Sequence, residues 1–397
     1  MKSFPAPSAL KVDLVGGSRQ TTGVRVNYRI FVVYCLLVSF AGCATAGPRA
    51  IRQGRFNYNQ AISETRSEQM LANLVRLRYR DPPFFLDVSS VSTQYVLSGE
   101  ADAAVAGVGT DSAAALGFKG NYEERPTITY LPLQGLDFAD RVMRPIPMEA
   151  IILLTASGWR MDRLLRCCVQ RVNDVWNAPR ASGPTPSQVP EFEEFLEVAK
   201  ILERLDEARA TALRFRRLQP ASGDAEAGGA VKADEIELRL HFLERPGTEE
   251  DIKRLKQLLA LDADLDEFQL TTNPTFRKSS EIAIFPRSLM ATMSYLSQAV
   301  EPPQRDIDAG RVTVTRRADG TEFRWSEMTA GLFRVSSSSD APPNASVRVQ
   351  YRNAWFYIDD SDLDSKSTFT LLDTLFQLQA GGAQGGVPML TLPVGGG

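Results

Sequence analysis

The body of this chain reads as an α+β fold: an N-terminal helix with a long β-hairpin and short helices, followed by small mixed α/β sheet units. Three observations carry that reading. Apolar residues recur at helical spacing in Asn59–Tyr79 and again from Phe192 to Leu205. The run Ile236-Glu237-Leu238-Arg239-Leu240-His241-Phe242 alternates with period two, the pattern of a half-buried strand. From Glu191 onward the runs follow the order helix, strand, strand, helix, strand, which suits a small sheet with helices on one face. With 397 residues, 43% hydrophobic and 23% charged, the chain is long enough to bury cores in two or three domains.

Taken in order, Ile62, Met70, Leu71, Leu74, Val75 and Leu77 mark the first helix, and Asp81-Pro82-Pro83 ends it. Phe84–Leu97 is strand-like, Gly99–Gly120 is rich in Gly and Ala, and Pro126–Leu131 is strand-like again. Helices are expected at Gly135–Met143, Met148–Ala156 and Met161–Trp176, closing a domain over 57–177. Residues 178–190, dense in Pro, Ser and Gly, read as a linker. A second domain over 191–273 holds the helix from Phe192, strands at Ala212–Leu218 and Ile236–Phe242, a helix at Glu249–Leu261 and a strand at Glu267–Thr272. Its polar loop Pro220–Asp234 is expected to be mobile. The third domain, 274–397, is expected to hold strands at Ile282–Phe285, Val312–Thr315, Leu332–Ser336, Val347–Tyr351 and Trp355–Ile358. Helices at Arg287–Ala299 and Ser365–Gln379, a Ser/Pro loop at 336–343 and a Gly-rich tail complete it.

Ahead of the body, Arg25 and Arg29 precede an apolar run, Ile30–Phe40, too short to span a bilayer comfortably as a helix. A basic flank, a short apolar core and small residues at the exit describe a secretory signal over residues 1–42. Residues 1–23 are polar and lie upstream of the usual start of such a signal, which suggests initiation near Val24 or Val26. The exit, Phe40-Ala41-Gly42-Cys43, resembles the lipobox of bacterial lipoproteins, with Phe40 where that class usually has Leu. The resemblance implies that the Cys43 thiol takes a diacylglycerol, that cleavage falls before it, and that the new amine is acylated. Residues 43–56 would then be a lipidated tether. Two or more acyl chains, at about 0.8 kcal/mol per buried methylene, make such anchoring stable. By resemblance to the sorting rule of enteric bacteria, Ala44 rather than Asp after the cysteine implies the outer membrane, facing the periplasm, with the inner membrane as the alternative.

The formal net charge is −3. Five basic residues against Asp13 lie before Cys43, so the body is more acidic than the whole, and nucleic acid is not expected as a partner. His241 is the sole histidine, which leaves little for histidine-based acid/base chemistry or the commonest metal sites. Its place in an alternating strand reads as structural. After the signal and the lipid take Cys35 and Cys43, the adjacent Cys167 and Cys168 remain, and helical neighbours point about 100° apart, so they read as buried apolar residues rather than a disulfide. Asp360, Asp362 and Asp364 sit at alternate positions like the start of a calcium loop. Ser365 and Leu371 stand where the turn glycine and the bidentate Glu belong, so the run reads as a cap on the following helix. Asp262-Ala263-Asp264-Leu265-Asp266 fails in the same way. No P-loop or Gly-x-Ser-x-Gly occurs, and Gly107-Val108-Gly109 lacks the third glycine of a dinucleotide loop. No catalytic residue and no cofactor is expected.

One pattern stands out. Tyr95, Leu97, Ala101, Ala103 and Val105 alternate with Gln94, Ser98, Glu100 and Asp102, and Leu116, Phe118 and Tyr122 with Lys119, Asn121 and Glu123. Joined through Gly109-Thr110-Asp111-Ser112 they would form a long amphipathic hairpin, of the kind that lipoproteins of the curli-export pore class contribute to a shared barrel. The alternative is an ordinary hairpin or Gly/Ala loop on a soluble domain. Three stretches, Glu68–Tyr79, Glu124–Tyr130 and Trp355–Asp360, resemble a family of bacterial envelope lipoproteins across most of 55–394, and this implies no activity. The function expected is therefore a lipid-anchored envelope protein of non-enzymatic binding or scaffolding type, partnered with envelope proteins or with itself. A pore or export-complex subunit using 94–131, and a carboxylate-dependent periplasmic hydrolase, are the alternatives.

Overall fold

The computed structural model describes residues 58–106, 113–217, 236–272, 278–380 and 390–393. The signal, Cys43, the turn 109–112 and the loop 220–234 lie outside the described residues. The chain divides into two units: residues up to 62 with 88–130 and 388–397 in one, and 63–87 with 131–387 in the other. The α+β class is observed, with helices and three sheets.

Helix α1 (residues 58–78) buries Met70, Leu71, Leu74 and Val75 and ends before Pro82. Strands β1 (Leu86–Ala106) and β2 (Ala113–Pro132) are hydrogen-bonded neighbours and far longer than the expected strand-like runs. Only six residues join them, and parallel neighbours need a crossover of a dozen or more, so the pair is an antiparallel hairpin. The Gly/Ala stretch between the two apolar runs is thus strand over 99–106 and 113–120.

Helices α2 (Leu136–Met143) and α3 (Met148–Ala156) follow, with Gly158 at φ 88° just beyond α3. The expected helix 161–176 stops early: α4 is Met161–Cys168, then β3 (Val169–Val172) and β4 (Val175–Trp176) form a tight hairpin. The β-branched Val169 and Val172 find a sheet partner in β8, and Val175 pairs with Val172 across the hairpin, which outweighs the local helical pattern. Next come α5 (Glu193–Glu207), β5 (Thr211–Arg217), β6 (Ile236–Phe242), α6 (Glu249–Leu258), β7 (Glu267–Thr271) and β8 (Glu281–Pro286). Glu193 and Glu194 in the first turn of α5 and Arg204 in its last complement the helix dipole. These strands build one six-stranded sheet ordered β4-β3-β8-β7-β6-β5, antiparallel except for β7–β8.

That sheet draws strands from both sides of two expected boundaries. It runs through the proposed divide at 273/274, and the proposed linker 178–190 lies within the second unit. Ala178, Ala181 and Thr185 there are buried, and Pro179–Ser182 forms a 3-10 turn. A Pro/Ser/Gly composition favours turns, but small side chains also pack tightly, and here they do.

The remainder comprises α7 (Leu289–Ser297), α8 (Gln304–Asp308), α9 (Ser326–Thr329), β9 (Ser336–Ser338), β10 (Ala345–Tyr351), β11 (Ala354–Asp359), α10 (Leu363–Ala380) and β12 (Leu390–Pro393). Ser288 caps α7 by accepting from the Ala291 amide at 3.1 Å. The sheet β10-β11-β9 is antiparallel. Strand β9 falls on the expected Ser/Pro loop because β11 supplies a ladder partner, while 312–315 makes no strand. One apolar cluster runs through the second unit, with Leu164, Phe195, Phe268, Tyr295, Phe333 and Phe356 nearly sealed from solvent. Each such side chain contributes about 1.5–3 kcal/mol on burial.

Candidate functional site

The hairpin has the longest strands, of 21 and 20 residues, among the described residues. Strand β1 ends the order β1-β2-β12, so no further strand pairs with its outer edge among the described residues, and at its start the Gln69 side chain bonds the Leu86 amide at 3.1 Å and carbonyl at 3.3 Å. On the other side, β12 pairs antiparallel with β2 only from Leu390↔Tyr130 to Pro393↔Thr127. Over 113–126, β2 likewise has no second neighbour among the described residues. Among the described residues, the hairpin is therefore for most of its length a two-stranded ribbon with no further strand on either edge. At about 3.3 Å per residue, 20 residues extend about 66 Å. An isolated two-stranded ribbon is marginally stable in water, and open edges are templates for pairing with another chain.

Asp360, Asp362, Asp364, Asp262 and Asp266 each have structural work. Asp362 caps α10, accepting from the Ser365 amide at 3.0 Å and its hydroxyl at 2.7 Å. Asp364 pairs with the buried Arg163 at 2.7 Å, and Asp360 accepts from Lys366 Nζ at 2.6 Å. In the second acidic run, Asp262 accepts from the Asp264 amide and Asp266 from Lys256. No cluster of three metal-ligating side chains occurs among the described residues. His241 pairs through its backbone with Ala212 and Glu267 across the sheet, and its Nδ1 is shielded with no protein partner among the described residues. Cys167 and Cys168 are free and buried on α4. Burial pushes the Cys167 thiol up to about 12 and Cys168 well above its usual value, which leaves neither a nucleophile.

A cleft of about 680 Å³ has a mixed polar and apolar lining. Arg78 lies in its floor and donates to Thr185 Oγ1 at 3.0 Å and to the Thr313 carbonyl at 3.1 Å; burial lowers its pKa to about 10. Arg334 makes a two-pronged pair with Glu301 at 2.9 and 3.0 Å, and Asp362 and Asp364 are engaged as above. These side chains hold α1, α4, α10 and the 299–335 segment to one another. They form no nucleophile-and-base pair.

Arginine 287 went unmarked in the sequence because nothing in its neighbourhood is acidic. It is 1% exposed and reaches the backbone where α4 turns into β3. Its Nη1 donates to the carbonyls of Arg166 at 2.9 Å and Val169 at 3.1 Å, its Nη2 to that of Asn177, and its Nε to Ser182 Oγ at 2.9 Å. The guanidinium stacks 4.0 Å over the Tyr295 ring. It closes the C-terminus of α4, whose last carbonyls lack intrahelical partners.

No helix of the described residues is long and apolar enough to cross a membrane. Comparison with known proteins finds no matching family model, no matching curated protein and no matching solved structure.

Proposed function

We propose that this is a lipid-anchored protein of the bacterial cell envelope that works by assembly rather than by chemistry, adding strands of other copies or of envelope partners to the edges of its β1–β2 ribbon. The observation that carries the reading is the ribbon itself: two strands of 20 residues or more that, over most of their length, have no further strand beside them among the described residues. Strand addition supplies the hydrogen bonds those edges lack, with main-chain pairing giving the affinity. The signal and the Phe40-Ala41-Gly42-Cys43 exit support attachment to a membrane, where copies are concentrated in a plane and association is favoured.

A second reading, in which hairpins of several copies close a shared transmembrane barrel, draws on strand length and on the alternation over 94–122. Membrane strands need about 9–11 residues, and both strands exceed that.

Disulfide scanning tests the assembly. Single cysteines placed in turn from Gln94 to Asp102 on β1 and from Ala113 to Glu123 on β2 would be oxidised in native membranes. Cys167 and Cys168 are sealed, so they give no background. Copies pairing through β1 would crosslink at alternate positions with a defined register, whereas no crosslink anywhere along β1 or β2 would rule out pairing between copies. Protease protection of the hairpin only in intact membranes would favour the barrel.

A further inference from the structure

We infer that the second unit carries a binding site for a single-chain amphiphile whose head is uncharged or cationic. The site is a cavity of about 340 Å³ between α3–α6 and the six-stranded sheet. Side chains from four helices and five strands line it, and the walls are aliphatic: Ile151 from α3, Leu240 from β6 and Ile282 from β8 represent them. The polar lining is confined to Thr155, Asp206 and Thr211. Asp206 is exposed and accepts from the Thr211 hydroxyl at 3.4 Å, while the Thr155 hydroxyl is turned back onto the Ile151 carbonyl. Asp206 is the one ionisable residue among the described lining.

The volume sets the size of the guest. An apolar cavity of about 150 Å³ stays dry and takes up benzene, and ligand pockets begin at about 300 Å³. By proportion, 340 Å³ accommodates about a dozen carbons. Water gains little there, because a buried water needs two to four polar partners and the aliphatic walls offer none. The lining sets the chemistry: a hydrocarbon chain meets Leu, Ile, Val and Met, and its head meets one carboxylate and two hydroxyls. A fatty-acid carboxylate would face Asp206 with like charge, whereas an amine, a choline or a hydroxyl would not. This inference stands apart from the ribbon and does not depend on how the protein assembles.

The test uses the full lipidated chain in nanodiscs, labelled by dodecylamine and by dodecanoate that each carry a diazirine at the chain end. After illumination, labelled residues are located by mass spectrometry. The amine probe is expected on α3, β6 or β8 residues of the cavity, displaced by excess dodecylamine, and about fivefold or more above the carboxylate probe. Asp206→Asn, on the surface, should bring that ratio to about one while leaving the melting temperature unchanged. Leu240→Trp should fill the cavity and remove the label from both probes. Label spread over the protein without displacement, a cavity that takes no label, or an Asp206→Asn ratio equal to that of the wild type would each overturn the inference.

Discussion

Replacing Arg287 tests whether a buried cation stabilises this fold or burdens it. Desolvation alone argues for a burden: burial pulls the guanidinium down to about 10, and substituting a buried charge by an apolar residue of similar size is often neutral or stabilising. The acceptors decide otherwise, since they are backbone carbonyls that remain after the substitution. The carbonyls of Arg166 and Val169 keep the Asn177 side-chain amide as a second partner, at 3.0 and 2.7 Å. The Asn177 carbonyl has no other donor among the described residues and would be buried unsatisfied, at about 1–3 kcal/mol. Weakening the two shared carbonyls adds about 0.5 kcal/mol each, and loss of the stack on Tyr295 adds about 1–2 kcal/mol. Arg287→Met should therefore destabilise by about 3–6 kcal/mol. Arg287→Lys, which keeps a charge and three donors but not the planar fork, should cost about 2–3 kcal/mol. Arg287→Ala should exceed both because it also leaves a cavity. Urea unfolding followed by tryptophan fluorescence would give the order Lys, Met, Ala in falling midpoint. An Arg287→Met protein as stable as the wild type, or more so, would refute the reasoning.

Three other outcomes follow from named contacts. Burial raises the pKa of Asp306, but hydrogen bonds from Tyr79 at 2.7 Å and Arg311 at 2.6 Å, with the Arg311 and Arg305 charges, outweigh it and hold the carboxyl below its usual value. A folded-state value below the unfolded one gives stability that is present above the ordinary carboxylate range and lost as pH falls through the lowered value. Asp306→Asn should flatten that acid limb in unfolding measured from pH 6 to pH 2 and cost about 2–3 kcal/mol at neutral pH; an unchanged limb would show that Asp306 does not titrate with folding. Cys167 and Cys168 should resist a thiol-specific reagent in the native protein and react at once in urea; fast native labelling would contradict their burial. Prolines at Ser98 and at Gly99 should act differently, because neighbouring amides on a strand point to opposite sides. One of Ser98→Pro and Gly99→Pro should disturb the β1–β2 ladder and the other should block the open edge, abolishing crosslinks between copies; crosslinks surviving both would count against pairing through β1.

Much of the fold could be read from the chain itself, and the failures have physical reasons. The alternation of 236–242 and the periodicity of α3, α5 and α10 located those elements within a residue or two, because each element's own pattern matches the face it buries. The helix over 161–168 continued on paper into 169–176, since Val169 and Val172 suit a helical stripe as well as a strand. Only the remote β8 and Arg287 decide between them. Residues 178–190 read as a linker for the same reason: nothing local reveals that Arg78 bonds Thr185 or that Arg287 bonds Ser182. The capping role of Asp362 was visible, because cap and helix are adjacent in sequence. The aliphatic cavity was not, since its lining comes from nine separate elements and each of its residues looks like ordinary core. The hairpin lies between. Its alternation pointed to paired strands, but their unbroken length across the Gly/Ala stretch and the bareness of their edges are properties of the ladder.

Assembly through those edges is best tested by the mass of the native particle. Protein carrying its own lipid would be extracted from membranes into polymer nanodiscs and measured particle by particle. The account predicts a discrete mass holding several copies, or one copy with a stoichiometric envelope partner. Particles that contain one chain and no other protein, at every concentration tried, would contradict it.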